Sequence, residues 1–353
     1  MNVLLIFVPL GFFAARLSWN DVVVSAFNFL AIIPLSSLVS NASDTIGNRW
    51  GGLVGGLVNA SFGNTVELIV GIMALSRDEI RVAQSIMLGS ILSDILLVQG
   101  ICIIVAARGT GVIFANSAVI DSMSSLMLIT VMALVLPTAL YSTFPDTATD
   151  IDSKILSFSR STGVAMLLIY VAYLYFQLKT HASLFMNEED DDDHSDHGNI
   201  SETPAAERNQ DIDEYRNEDL PSILISGLLI GRCTYSFMEN LDGMSDTLGI
   251  TKIFVALILI PLASNAPELT QVVAASRKKR INYAISVIIG SILQISLFVL
   301  PVLVITGWIL NIAMDLYFKA SQTYMLLFAI TVVNQVLQDR QYTYLHGTML
   351  LSV

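Results

Sequence analysis

The sequence predicts an all-α integral membrane protein, with ten to eleven transmembrane helices in two inverted-topology repeats of about five helices each. Three observations carry that prediction. The 353-residue chain is 54% hydrophobic and 14% charged, with a mean hydropathy of +0.67; that is too little charge to cover a water-soluble surface of this size. Apolar runs of about 20 residues, enough to cross a ~30 Å hydrocarbon core as helix, recur along it. One apolar stretch that carries Asn and Glu also occurs twice, at a spacing that reverses its direction across the bilayer.

The runs lie near 3–17, 22–42, 51–76, 81–106, 119–141, 161–179, 221–238, 250–276, 281–309 and 320–338; an eleventh starts near 342 and stops at Val353. The first, within residues 1–21, has no basic start and no small-residue cleavage site, and Pro9 interrupts it. It reads as a retained membrane helix rather than a signal peptide. Residues 22–180 form the first membrane repeat and 221–353 the second, whose last helix is short. Cys102 and Cys233 both lie inside apolar runs and read as buried small hydrophobes. The glycines at 51–56 stand at overlapping GxxxG spacings and read as helix packing.

Residues 181–220 break the pattern. Within them, 187–219 hold fourteen Asp and Glu against two Arg, a net of −12 that equals the net charge of the whole chain. Like charges at this density repel and stay solvated, so the segment reads as a linker. Glu188, Glu189, Asp190, Asp191, Asp192 and Asp193 form a candidate regulatory cation collector, and His194 and His197 stand at i, i+3 beside them. Arg277, Lys278, Lys279 and Arg280 make a short basic loop, which favours the cytosolic side. Two spans separate that loop from the linker, so the linker and the N-terminus are expected on the cytosolic face. The loop at 239–249 carries Glu239, Asp242 and Asp246 without Lys or Arg, as an opposite face would. The expected partners are the lipid bilayer and small cations, with no nucleic acid and no cofactor; the oligomeric state is left open.

The repeat is carried by "NASFGNTVELIVG" at 59–71. A shift of 201 lays residues 57–92 on 258–293 without a gap, so that Asn64 falls on Asn265, Glu67 on Glu268, Gly89 on Gly290 and Ser90 on Ser291. Apolar matches come easily in this composition; Asn and Glu matches inside spans do not. The third and eighth runs differ by an odd count of five, so the two copies cross in opposite directions. Both have helix-weakening neighbours, "FGN" at 62–64 and "SNAP" at 264–267, where Pro267 lacks a backbone donor. A break there would free carbonyls near Gly63 and Ser264.

The chemistry follows from charge. An ionised side chain at a helix centre costs on the order of 3 kcal/mol by insertion scales. Two facing glutamates cannot both be charged without a cation between them; one divalent ion neutralises both, and two protons do the same. Glu67 and Glu268 are therefore the candidate metal-binding and proton-coupling pair. Ca²⁺ takes six to eight oxygens at about 2.3–2.6 Å, and carbonyls near Gly63 and Ser264 would add to the carboxylates. Asn64 and Asn265, three residues before each Glu on the same face, would orient the carboxylates or bind through their own oxygens. In "GSILSD" (89–94) and "GSILQ" (290–294), glycine allows close packing, and Ser90, Ser93, Asp94, Ser291 and Gln294 are candidate ion-pathway residues.

At these residues the chain resembles the Ca²⁺/H⁺ antiporters of fungal vacuoles and plants. "NFLAIIPLSSLVSNASDTIGNRWGGLVGGLVNASFGNTVELIVGIMAL" (28–75) and "VAQSIMLGSILSDILLVQG" (82–100) look like the first repeat of that family. "LILIPLASNAPELTQVV" and "VIIGSILQISLFVLPVLVITGW" look like the second, and the likeness covers roughly 1–340. It implies that Glu67 and Glu268 bind Ca²⁺ alternately with protons while two gating helices rock, in a vacuolar or other endomembrane. Departures accompany it. The second motif, usually GNAAEH, is "SNAPEL" here, with Ser264, Pro267 and Leu269, and it leans toward the TSxPE-like motif of Na⁺/Ca²⁺ exchangers. Asp94 stands where the family generally has Asn, and only Asp44 remains of an acidic pair.

A Ca²⁺ exchanger driven by Na⁺, with or without K⁺, and a Mn²⁺/H⁺ exchanger are the alternatives within the same class. A non-transporting Ca²⁺-sensing membrane protein, using the acidic linker, is the alternative outside it. An intramembrane aspartyl protease would need a second Asp in a GxGD context, which the sequence lacks.

Overall fold

The computed structural model describes residues 2–49, 63–108, 111–115, 118–141, 151–180 and 219–353. The 51–56 glycine run and the acidic linker, from Glu188 through Asp193 to His194 and His197, lie outside them. The described residues are overwhelmingly helical, which is how backbone polar groups are satisfied where no water reaches them.

A 3₁₀ turn leads into α1 (Phe7–Arg16), which lies on α2 (Asp21–Arg49). Next come α3 (Thr65–Ser76), the long α4 (Ile80–Ala107), strand β1 (Val112–Phe114), α5 (Ala118–Tyr141) and α6 (Ile151–Tyr175). The second half runs α7 (Asp219–Glu239), α8 (Leu241–Leu248), α9 (Lys252–Ser264), α10 (Ala266–Arg277), the long α11 (Ile281–Leu310), α12 (Ala320–Asp339), β2 (Gln341–Thr343) and α13 (Tyr344–Ser352). Six helices among the described residues are long and apolar enough to cross a membrane, or seven if α8 and α9, bent by 109°, count as one span. The expected eighth run is not one helix: it breaks between α9 and α10 at Asn265. Pro267 has no N–H to offer the Ala263 carbonyl but suits the first turn of α10.

One series of elements occurs in both halves. α3 and α10 are each twelve residues long. Each ends in a tight turn with a left-handed residue, Asp78 (φ 59°) or Lys279 (φ 62°), and these positions differ by the same 201 residues. Each then feeds a long helix widened by a π-helical stretch, Ser93–Val98 in α4 and Ile295–Val299 in α11. α6 packs on the later part of α11, and α13 packs on the later part of α4. The short C-terminal run is thus a docked helix. Its Gly347 meets Gly100 so closely that a Cβ on Gly347 would stand 2.6 Å from the Gly100 carbonyl oxygen.

The core runs continuously through both halves, with the facing sides of α4 and α11 almost wholly buried. α2 packs along α7. Large apolar side chains such as Ile129, Leu168, Leu228, Ile309 and Phe328 point outward, as a lipid-facing surface requires. At one end, Lys252 bonds Glu79 at 2.6 Å and also pairs with Asp242, tying the turn before α4 to the turn before α9. At that end too, Gln84 donates to Asp315 Oδ1 at 2.7 Å, and Arg81 donates to the Tyr317 carbonyl at 2.7 Å. At the other end β1 pairs antiparallel with β2, Ile113 opposite Tyr342, and Arg340 pairs with Asp121.

Candidate ion-binding site

The site forms where the two half-helices begin. Glu67 lies in the first turn of α3 and Glu268 in the first turn of α10, where the unpaired N–H groups and the helix dipole favour a carboxylate. Asn64 stands at the N-cap position of α3 without a side-chain capping bond, and Asn265 sits in the break before α10. Gly63, in the turn ahead of Asn64, is exposed, whereas Asn64, Glu67, Ser264 and Asn265 are buried.

The asparagines reach across to the opposite repeat. Asn64 Nδ2 donates to the Ser291 carbonyl at 3.5 Å, and Asn265 Nδ2 donates to the Ser90 carbonyl at 3.3 Å. These are the same contact under the 201-residue shift, so the amides tie each half-helix to the long helix of the other half. Their side-chain oxygens are also engaged: Ser291 Oγ donates to Asn64 Oδ1, and Ser264 Oγ donates to Asn265 Oδ1, both at 3.3 Å.

Asp94 breaks the symmetry, since its counterpart is Ile295. It is fully buried and accepts from Asn265 Nδ2 at 2.7 Å and Ser291 Oγ at 3.0 Å. The three carboxylates share one electrostatic neighbourhood: Glu67 acts on Glu268, and both act on Asp94. Ser264 interacts with Glu67, and Ser291 with Glu268. Glu268 Oε1, Ser90 Oγ and Ser93 Oγ are buried without a hydrogen-bond partner, which leaves them for a polar ligand. Among the described residues, no three His, Cys, Asp or Glu side chains converge into a ready metal cage. A cation here would therefore draw on neutral oxygens as well as carboxylates.

Gln294 is buried at the end of the α-helical part of α11, ahead of its π stretch. The linker acids lie outside the described residues, as does the side chain of Asp44. Both cysteines are free and buried, Cys102 accepting from Ser276 Oγ at 3.1 Å. Sequence reasoning missed Gln99, a fully buried amide five residues after Asp94. Its signal was a polar residue within the apolar run that follows "GSILSD".

A helical membrane protein whose buried acids and amides meet between its two halves has the architecture of the membrane exchangers. The chain belongs to the sodium/calcium exchanger protein family, whose model matches residues 21–179 and 220–353. It is 34% identical to a vacuolar calcium ion transporter of Schizosaccharomyces pombe, over 100% of this chain and 82% of that one. It is 32% identical to a Ca²⁺/H⁺ antiporter of Aphanothece halophytica, over 99% of this chain and 92% of the relative. Among solved structures, native YfkE superimposes with a TM-score of 0.80 at 22% identity, covering 99% of this chain and 96% of that one. The H⁺/Ca²⁺ exchanger CAX gives 0.66 at 16% identity, over 99% and 85%. At these identities the structural likeness speaks for the fold.

Proposed function

We propose that this chain is a secondary active transporter that exchanges Ca²⁺ for H⁺ across an endomembrane by alternating access, with Glu67 and Glu268 holding Ca²⁺ or protons in turn. The names of its relatives support the exchange and the vacuolar setting. The observation that supports the site is the reciprocal bracing of Asn64 onto Ser291 and Asn265 onto Ser90, each three residues ahead of its glutamate.

Residues 22–180 and 221–353 act as two oppositely oriented repeats of about five spans, joined by the cytosolic linker 181–220. With α1 ahead of them, ten to eleven segments cross or enter the bilayer. Ca²⁺ bridges the two carboxylates, and carbonyls at Gly63 and Ser264 complete its oxygen shell. When the ion leaves, protons neutralise the carboxylates, so the site never faces the low-dielectric interior as a bare dianion. Asn64 and Asn265 hold the half-helices in register. Ser90, Ser93, Asp94, Ser291 and Gln294 line the way in. Rocking of α2 and α7, which pack along each other, opens the site to one face at a time. The run from Glu188 to Asp193 gathers cations on the cytosolic side and tunes the apparent affinity.

Asp94 favours a second reading. Were Asp94 ionised together with both glutamates, one Ca²⁺ would leave a charge uncancelled, and a co-bound Na⁺ or K⁺ would balance it. Reconstituted vesicles decide between the two. Ca²⁺ uptake driven by a pH gradient without Na⁺ supports proton exchange; uptake driven only by a Na⁺ gradient refutes it. Mn²⁺ competition in the same assay tests cation preference.

A further inference from the structure

We propose that the Gln99 carboxamide is a water- and cation-binding station on the ion path, one helical turn beyond Asp94 toward the 277–280 loop. The inference rests on the transport reading above and extends it to a residue outside the glutamate site.

Gln99 is 0% exposed, and neither its Oε1 nor its Nε2 has a hydrogen-bond partner. A buried polar group left without a partner destabilises the fold, and an apolar side chain at the same place would carry no such cost. Elsewhere on α4 a buried amide is fully used: Gln84 donates to Asp315 and accepts from Arg81 at 2.9 Å. An unpartnered carboxamide offers two donors and an acceptor to whatever polar species passes.

The π-helical stretch explains its placement. The Gln99 N–H donates to the Asp94 carbonyl, an i→i+5 step, so the wider turn brings residue 99 under residue 94 as an i→i+4 step does in an α-helix. Three residues on, Cys102 faces α10 through Ser276 Oγ. Asp94 faces Asn265 and Ser291. Gln99 lies between two positions that both look into the second repeat, at spacings that share a helix face. Above it, Ser90 Oγ, Ser93 Oγ and Glu268 Oε1 are likewise buried and unpartnered. Below it, Ser276 is followed directly by the basic loop. A hydrated divalent cation leaving the glutamates in that direction meets Oε1 as a ligand and Nε2 as a donor to its waters.

The test uses the full-length protein in oriented vesicles, with Gln99→Cys placed on a Cys102→Ala, Cys233→Ala background. A cationic methanethiosulfonate reagent should modify residue 99 from the side of the 277–280 loop, and saturating Ca²⁺ should slow that reaction severalfold. Gln99→Leu should lower the exchange rate about tenfold while the melting temperature holds or rises, since a buried amide is removed. Gln99→Met serves the same purpose should Leu pack poorly. Absence of modification from either face, or wild-type rates in the apolar variants, overturns the proposal. Failure of the unmodified protein to move Ca²⁺ on either a pH or a Na⁺ gradient refutes the transport reading by itself; the labelling still reports whether Gln99 lines a wet path.

Discussion

Asn265 joins Asp94 across the repeat boundary by a 2.7 Å bond from Nδ2 to Oδ1. The same amide reaches the Ser90 carbonyl, so one side chain at a helix break fastens α10 to two successive turns of α4. Replacing it leaves a buried carboxylate short of a donor, worth about 1–3 kcal/mol. Asn265→Ala should therefore lower the melting temperature in detergent and depress exchange. Asn64→Ala, which loses weaker contacts at 3.3–3.5 Å, should be the milder of the two. Equal loss in both would show that Asp94 takes no part in the difference.

Glu67→Gln and Glu268→Gln test the acid pair. Each keeps the shape of the side chain and the start of its helix but removes one of the two charges a divalent ion needs. Both variants should insert normally and lose Ca²⁺ uptake to background. Wild-type flux in either would remove that glutamate from the site.

The two serine-flanked glycines should respond unequally. A Cβ on Gly89 would stand 2.2 Å from the Leu257 carbonyl oxygen and 2.7 Å from Pro261 Cγ, whereas on Gly290 it would meet only Met123 Cε at 3.8 Å. Gly89→Ala must push α9 away from α4, at an overpacking cost of about 1–3 kcal/mol; Gly290→Ala adds an ordinary contact. Loss of thermal stability and of transport is expected for the first alone, and parallel behaviour of the pair would count against the packing described here.

Asp315, in the loop between α11 and α12, gives a pH dependence. Burial holds its carboxyl above the ordinary aspartate value of 3.8, against the opposing pull of the Tyr317 N–H, Arg81 and Gln84. A carboxyl raised on folding binds its proton more tightly in the folded state. Its contribution is thus greatest below the unfolded value and falls as pH rises through the folded one. Asp315→Asn keeps an oxygen for Gln84 and Tyr317 while removing the buried charge. Melting curves across pH 4 to 7 should be flatter in the variant, with the gain largest at the upper end. Parallel curves would mean that Asp315 does not titrate in this way.

Much of this protein was legible before any coordinates. Low charge and long apolar runs reported a lipid solvent, because hydrocarbon tolerates few ionised groups. The 201-residue repeat exposed Asn64, Glu67, Asn265 and Glu268, because polar residues at membrane depth are too costly to recur by chance. Even the break at 264–267 was visible, since proline removes a backbone donor whatever surrounds it. What hydropathy could not tell was which partner each polar atom takes. That Asn265 reaches Asp94 while Asn64 reaches Ser291, that Gly89 is crowded and Gly290 open, and that Gln99 is left without a partner are outcomes of packing between helices roughly two hundred residues apart. The apolar periodicity of a helix marks it as buried, but the bonds a side chain makes depend on how the facing helices approach one another.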